Sequence, residues 1–136
     1  MKIISNLYFK GDCAEAFERY TEVLGGEIKA MVTFGEVPGE EKLGPAFEKL
    51  IMHAWLDVGD QSLMGCDAPT EDDVKLGGFS VAVHVADKME ARRIFDALLV
   101  GGSASMPFQA APWSPGFGML TDKFGVPWLI NTEAKR

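Results

Sequence analysis

The feature of this sequence that most constrains its fold is an internal repeat. The segment Asp12-Cys-Ala-Glu15-Ala16 recurs as Asp87-Lys-Met-Glu90-Ala91, so that residues 12 and 87 lie 75 positions apart. A glycine pair follows each copy, Gly25-Gly26 in the first half and Gly101-Gly102 in the second. A self-similar pattern over this distance predicts one structural unit that is used twice.

Local patterns within each copy predict a strand, a helix and three more strands. Ile3 to Lys10 and Gly78 to Ala86 alternate as half-buried strands do. An Asp with a Glu three positions later is typical of a helix start, and a glycine pair is typical of a helix end. Apolar stretches around a glycine turn predict hairpins at Ile51 to Met64 and Phe117 to Asn131, and Glu27 to Phe34 is the expected strand before the first hairpin.

These elements predict an α+β fold of paired βαβββ modules, with the helices covering one face of each sheet. We expect a single domain over residues 1–136, made of modules at about 1–67 and 78–136 with a linker at 68–77. A chain of this length buries about two-thirds of its unfolded surface, so stability requires neither a disulfide nor a metal.

Charge and cysteine content narrow the classes of function. Thirteen Lys and Arg residues against twenty Asp and Glu give a net charge of −7 with no basic cluster, so nucleic acid is not an expected partner. No apolar run approaches the roughly 20 residues of a membrane span, and the N-terminus does not resemble a signal peptide, so we expect a cytoplasmic protein with no membrane partner. Cys13 and Cys66 form no Cys-x-x-Cys motif and are expected as free thiols, with Cys13 unreactive and partly buried.

Several motifs together resemble one known family. They are Tyr8-Phe-Lys-Gly11 with the helix Glu15-Ala-Phe-Glu-Arg-Tyr20, Leu24-Gly-Gly26, Met52-His-Ala-Trp-Leu56, Gly78-Phe-Ser-Val81, Met106-Pro107 and the stretch from Phe117 to Asn131. The chain resembles the PhnB-like family of the vicinal oxygen chelate superfamily, which also contains glyoxalase I, bleomycin-resistance proteins and extradiol dioxygenases. The resemblance covers nearly the whole chain. It implies curved mixed sheets around a cavity, helices outside, and a homodimer.

Strand alternation predicts which side chains point away from the helices and into such a cavity. Leu7 and Phe9 form a helix-facing set in the first strand, as do Met52, Ala54, Leu56 and Val58 in the first hairpin and Val126, Trp128 and Ile130 in the last strand. A loop at Pro107 to Gly116 is expected over the cavity mouth, where Phe108 and Trp113 could stack on a planar ligand. The predicted ligand-binding residues are Asn6, Tyr8, His53, Trp55, Ser80, Trp113 and Asn131.

In metal-dependent relatives, the resemblance implies His and Glu ligands on the first and last strands of each module. The corresponding places here are Asn6, Leu63 or Met64, Ser80 and Leu129. None of them suits a catalytic divalent ion. We therefore predict no metal and no cofactor.

The first functional hypothesis is a metal-independent protein that binds a small organic molecule. An isomerase or lyase with His53 as general base, oriented with Asn6 and Tyr8, is an alternative, as is a drug-sequestering resistance protein. His84 is expected to be a hydrogen-bonded sheet histidine. Some PhnB-like sequences are labelled demethylubiquinone methyltransferases, but no glycine-rich strand-to-helix turn followed by an acidic residue supports that activity.

Overall fold

The two copies of the repeat fold into two units with the same order of elements. The computed structural model describes residues 1–36, 44–68 and 77–133, and the chain divides into Met1–Lys75 and Leu76–Arg136. Each unit is a βαβββ module, which confirms the predicted α+β class. The elements are β1 (Asn6–Phe9), α1 (Cys13–Leu24), β2 (Glu27–Thr33), a 3-10 turn (Phe34–Glu36), α2 (Pro45–Glu48), β3 (Ile51–Val58), β4 (Gln61–Asp67), β5 (Val81–Val85), α3 (Lys88–Leu99), β6 (Ser103–Ala111), β7 (Ser114–Thr121) and β8 (Pro127–Thr132).

The first sheet has the order β1-β4-β3-β2, with β1 parallel to β4 and the other neighbours antiparallel. Helix α1 covers one of its faces, because its apolar stripe of Ala16, Phe17 and Tyr20 is fully buried. The helix approaches closely at Gly65, where an added Cβ would lie 2.5 Å from the Phe17 ring. A side chain at this position would displace the helix.

The second sheet repeats this plan with the order β5-β8-β7-β6, and β5 is parallel to β8. Helix α3 buries Ala91, Ile94, Phe95 and Leu98, and it has the same 12-residue length as α1. Trp128 is completely buried, as expected for a helix-facing residue of β8. None of the helices in the described ranges is long and apolar enough to cross a membrane.

Three local predictions are wrong. Strand β1 begins at Asn6, and Ile3 before it is 94% exposed. Met52 is 40% exposed because β3 has a bulge: Val32 pairs with His53 while Thr33 pairs with Ile51, which leaves Met52 without a partner in the ladder. The loop expected at residues 107–116 is mostly the β6–β7 hairpin, with its turn at residues 112–113.

The domain prediction stays open in part. Most of the linker expected at residues 68–77 lies outside the described ranges. That the two modules form a single domain stays a prediction.

The last hairpin is held by the buried carboxylate of Asp122. Its Oδ1 accepts hydrogen bonds from the backbone N–H groups of Phe124 (2.9 Å) and Val126 (3.0 Å), and its Oδ2 accepts from Trp128 Nε1 (2.9 Å). Gly125 closes the turn at φ 90°, a conformation that glycine adopts without steric cost. The carboxylate therefore joins the turn to the largest core side chain of the second unit.

Replacing Asp122 with Ala should destabilise the fold by about 3 kcal/mol or more, because buried donors lose a charged acceptor. Asp122→Asn keeps an oxygen that accepts from the two backbone N–H groups, but its amide N–H groups would face the Trp128 N–H, which then has no acceptor. We therefore expect a smaller loss of stability than for Asp122→Ala. The measurement is the free energy of unfolding by urea titration. Asp60→Ala, at an exposed position of the first hairpin turn, is the control and should stay within about 0.5 kcal/mol of the wild type. Equal effects of the Asp122 and Asp60 variants would contradict the assignment.

Candidate functional site

Four of the seven predicted ligand-binding residues lie on one face of the first sheet. We call this face, opposite α1, the unit-1 open face. Asn6 pairs with Met64 and Met64 with Trp55, while Tyr8 pairs with Cys66 in the next row. The neighbours on the helix side, such as Leu7 and Phe9, are buried, whereas Tyr8 is 51% exposed. The unit-1 open face consists of Asn6, Tyr8, His53, Trp55, Met64 and Cys66.

The rings of His53 and Trp55 meet edge to face on this surface, with centroids 6.3 Å apart and planes at 60°. The Trp55 ring is also held by a hydrogen bond, because its Nε1 donates to Asp57 Oδ1 at 2.6 Å. Ser62 Oγ donates to the same oxygen at 2.7 Å. Hydrogen bonds from Ser62 and Trp55 lower the pKa of the Asp57 carboxyl. The carboxylate is therefore charged near neutral pH and orients the indole ring.

The cysteines differ in access to solvent. Cys13, which was expected to be partly buried, is completely buried, and burial raises the pKa of its thiol, with a further contribution from the nearby Asp67. Cys66 is only partly buried, and burial raises its pKa as well, against a lowering contribution from Asn6, whose Nδ2 lies 3.7 Å from Sγ. Both thiols are therefore mostly protonated at neutral pH, and neither is an activated nucleophile.

This difference predicts stepwise labelling by a thiol reagent such as dithiobis(nitrobenzoic acid). In the native protein at pH 8, Cys66 should react slowly, and Cys13 should react only after unfolding. Asn6→Leu removes the donor that stabilises the Cys66 thiolate and retains a similar volume, so labelling of Cys66 should slow severalfold. Cys66→Ser is the control that should abolish native labelling. Rapid labelling of Cys13 in the folded protein would contradict this arrangement.

The remaining candidates belong to the second sheet, on the face opposite α3, which we call the unit-2 open face. His84 pairs with Asn131 across β5 and β8, and Asn131 Nδ2 lies 3.2 Å from His84 Nδ1. Thus His84 has a hydrogen-bond partner, although the residue is exposed. Trp113 is 58% exposed and meets the Phe117 ring edge to face at 5.3 Å. Ser80 precedes β5 instead of lying within it.

Two aromatic residues have roles that the sequence did not indicate. Phe108 is buried on the helix side, where it contacts Phe95 at 5.6 Å, so it cannot stack on a ligand as expected. Phe117 belongs to the unit-2 open face, because its neighbours Gly116 and Gly118 face Phe108 and Phe95. The two flanking glycines indicate this orientation in the sequence. Glycines allow a helix to pack closely on a strand, and successive strand residues point to opposite faces, so the residue between two such glycines points away from the helix.

A depression of about 410 Å³ lies at the start of α3 and contains none of the seven predicted ligand-binding residues. It is lined by Lys88, Met89, Arg92, Phe108 and Gln109. The Arg92 guanidinium is already engaged, because it pairs with Asp96 at 3.2 Å and lies over the Phe108 ring. The candidate chemistry is therefore on the open faces.

The residues at the superfamily's metal positions do not fit a divalent ion. Asn6 and Met64 are adjacent across β1 and β4, and Leu129 lies beside Ala82 in the second sheet. An amide, a thioether and an alkyl side chain lack the imidazole and carboxylate donors that such ions require. Among residues 1–36, 44–68 and 77–133, no group of three or more His, Cys, Asp or Glu could hold a metal ion.

The fold is that of the vicinal oxygen chelate superfamily. The fosfomycin resistance protein FosX from Listeria monocytogenes, in a complex with Mn(II) and a dihydroxypropylphosphonic acid, superposes with a TM-score of 0.65 over 95% of this chain and 89% of its own. At 8% identity this similarity concerns the fold alone.

A family model and relatives of higher sequence identity show the family to which the chain belongs. The model of the 3-demethylubiquinone-9 3-methyltransferase family matches residues 1–131, and the chain belongs to this family. YjdN of Escherichia coli K12 is 33% identical over 96% of this chain and 95% of its own length. The crystal structure of PA1353 from Pseudomonas aeruginosa has 40% identity and a TM-score of 0.90, with 99% of both chains covered. A PhnB protein from Bacillus cereus has 28% identity and a TM-score of 0.82 over 97% of this chain and 99% of its own.

Proposed function

We propose that this chain is a small-molecule-binding protein that works without a catalytic metal, and that its ligand contacts the unit-1 open face. The observation that carries the proposal is the edge-to-face pair of His53 and Trp55, beside Asn6 and Tyr8 on the same sheet. Organic ligands generally bind to apolar and aromatic surfaces that carry a few polar groups for orientation. This face has that composition.

Its side chains offer complementary contacts to a planar ligand. The indole of Trp55 offers stacking surface, and its hydrogen bond to Asp57 fixes its orientation before binding. The Tyr8 hydroxyl and the Asn6 amide can donate or accept hydrogen bonds. Since the chain has a net charge of −7 and Asp57 lies beside Trp55, neutral or cationic ligands are favoured over anions.

The expected state of the protein is a cytoplasmic homodimer, in line with the family resemblance. Size-exclusion chromatography with light scattering tests the dimer against the 14.8 kDa mass of one chain.

A thermal-shift screen tests the binding proposal. Planar aromatic amines and neutral heterocycles should raise the melting temperature, because a ligand at one hundred times its Kd adds about 2.7 kcal/mol to the stability. Mn(II), Zn(II), Ni(II) and EDTA should leave it unchanged. Trp55→Ala should weaken binding by about 2 kcal/mol, as expected for a central aromatic contact.

The control for that screen is Met89→Ala, an exposed side chain on α3, which should bind ligands as the wild type does. Stabilisation by divalent metals alone would overturn the proposal. So would ligand affinity that is unaffected by Trp55→Ala.

A second candidate is an isomerase or lyase in which His53 is the general base. One observation favours it: within the described part of the chain, the His53 ring contacts Trp55 but no side chain hydrogen-bonds to it, so both ring nitrogens can meet a substrate. A bound compound recovered unchanged, by mass spectrometry after prolonged incubation, supports binding or drug sequestration. Turnover that His53→Gln abolishes while binding persists supports the enzyme.

The methyl transfer in the family's description has a separate test. The strand-to-helix connections in the described ranges are residues 10–12 and 86–87, and neither has the length or glycine content of a nucleotide-binding turn. We therefore propose that S-adenosylmethionine does not stabilise the protein in the same screen. A clear shift with this compound would restore methyl transfer as the first hypothesis.

A further inference from the structure

The depression at the start of α3 lies between that helix and β6, which is an edge strand of the second sheet. Lys88, Met89 and Arg92 line it from α3, and Phe108 and Gln109 line it from β6. Its volume of about 410 Å³ is within the range of small-molecule sites. Two cations, a thioether, a phenyl ring and an amide offer no base or nucleophile at neutral pH, so the depression is suited to binding and not to catalysis.

The apolar part of the depression results from two glycines of β7. A Cβ added at Gly116 would lie 2.5 Å from Phe108 Cζ, and one added at Gly118 would lie 3.1 Å from Phe108 Cα. Because both positions lack a side chain, the Phe108 ring packs down onto the sheet and leaves space beside α3. Met89 stands next to this space and is 81% exposed. A ligand therefore finds a buried phenyl ring and an uncovered thioether side chain there.

Lys88 and Arg92 are four residues apart on α3, so their side chains lie on the same face of the helix. Arg92 Nε donates to Asp96 Oδ2 at 3.2 Å, and Nη1 donates to the carbonyl oxygen of Phe108 at 3.4 Å. These contacts hold the guanidinium in place but use only two of its five N–H groups. Within the described part of the chain, Lys88 takes part in no hydrogen bond or ion pair.

The acidic neighbours of these cations do not line the depression. Asp87 accepts from the backbone N–H groups of Met89 and Glu90 at the start of α3. Glu90 itself pairs with Arg93 at 2.6 Å. The lining residues therefore carry two positive charges and no negative charge, although the whole chain has a net charge of −7.

We propose that this depression binds a small amphipathic carboxylate. The ligand oxygens accept hydrogen bonds from Arg92 and Lys88, and its apolar part packs against Phe108 and Met89. A guanidinium matches the geometry of a carboxylate, while exposed ion pairs alone are weak, so the ligand needs both a charged and an apolar end. The site belongs to the helix side of the second unit. It is thus independent of the proposed function at the unit-1 open face, where neutral or cationic ligands are favoured.

The test compares 3-phenylpropanoate with 3-phenylpropanamide, which have nearly the same shape, although only the first is charged at pH 7. Residue-resolved NMR titration of the full chain gives both affinities and their location. The carboxylate should bind about 3 to 10 times more tightly than the amide, the ratio expected for two partly exposed ion pairs. Its shifts should map to Lys88, Met89 and Phe108. Acetate, which lacks the apolar part, should bind more weakly than 3-phenylpropanoate.

Variants separate this site from a general effect of charge. Lys88→Gln and Arg92→Gln should each reduce the preference for the carboxylate, and the double variant should abolish it. Arg93→Gln is the matched control: it removes the same charge from the same helix, but Arg93 does not line the depression, so most of the preference should remain.

Four results would overturn the proposal and leave the proposed function untouched. They are equal affinities for the carboxylate and the amide, shifts that map to Trp55 instead of Lys88, a preference that survives in the double variant, and an equal loss of preference in Arg93→Gln. Acetate that binds as tightly as 3-phenylpropanoate would contradict the apolar contact with Phe108 and Met89.

Discussion

The first unit depends on the hydrogen bonds that the buried carboxylate of Asp67 accepts. It is 2% exposed, and burial of a carboxylate is costly unless hydrogen bonds replace its water. Its Oδ1 accepts from the backbone N–H groups of Gly11 and Cys13, both at 3.0 Å, and its Oδ2 accepts from Ile51 at 2.8 Å. One side chain at the end of β4 therefore fixes the start of α1 and the start of β3. Because β1 pairs in register with β4, it also fixes the strand that presents Asn6 and Tyr8.

The two copies of the repeat share a sequence pattern, but the hydrogen bonds at their helix starts differ. Asp87 caps α3 through its own side chain, which accepts from the N–H groups of Met89 and Glu90. Asp12 stands at the same place before α1 but makes no such bond, and its Oδ1 is sealed without a partner. Burial, together with the charge of Asp67, raises the pKa of the Asp12 carboxyl. Sequence correctly predicted where both helices begin, but a local pattern cannot reveal that the first helix is capped by a carboxylate 54 residues beyond Cys13.

Alternation predicted the open faces well where the strands are regular, since Asn6, Tyr8, His53 and Trp55 share one surface. It failed at Met52, because counting residues cannot detect that the ladder skips one of them. The second half of β6, from Pro107 onward, was assigned to a loop for a related reason. Proline and glycine content predicted a loop, yet β6 is an edge strand with several register shifts, where Pro107 can be accommodated without an N–H to donate. Ladder irregularities are set by pairing partners, which are distant in sequence.

The placement of the acidic side chains supports the proposal of a ligand site that works without a metal. Asp67 and Asp122 are buried and bound to backbone donors, so these carboxylates hold turns and helix starts together. Asp57 is bound to Trp55 and Ser62. Besides Asp57, the side chains named on the open faces are imidazole, amide, phenol, thioether, thiol and indole groups, which stack on ligands and form hydrogen bonds but add no further carboxylate for a divalent ion. Since the fold fixes only positions and the side chains decide the chemistry, these residues support the proposed recognition of a neutral or cationic organic molecule.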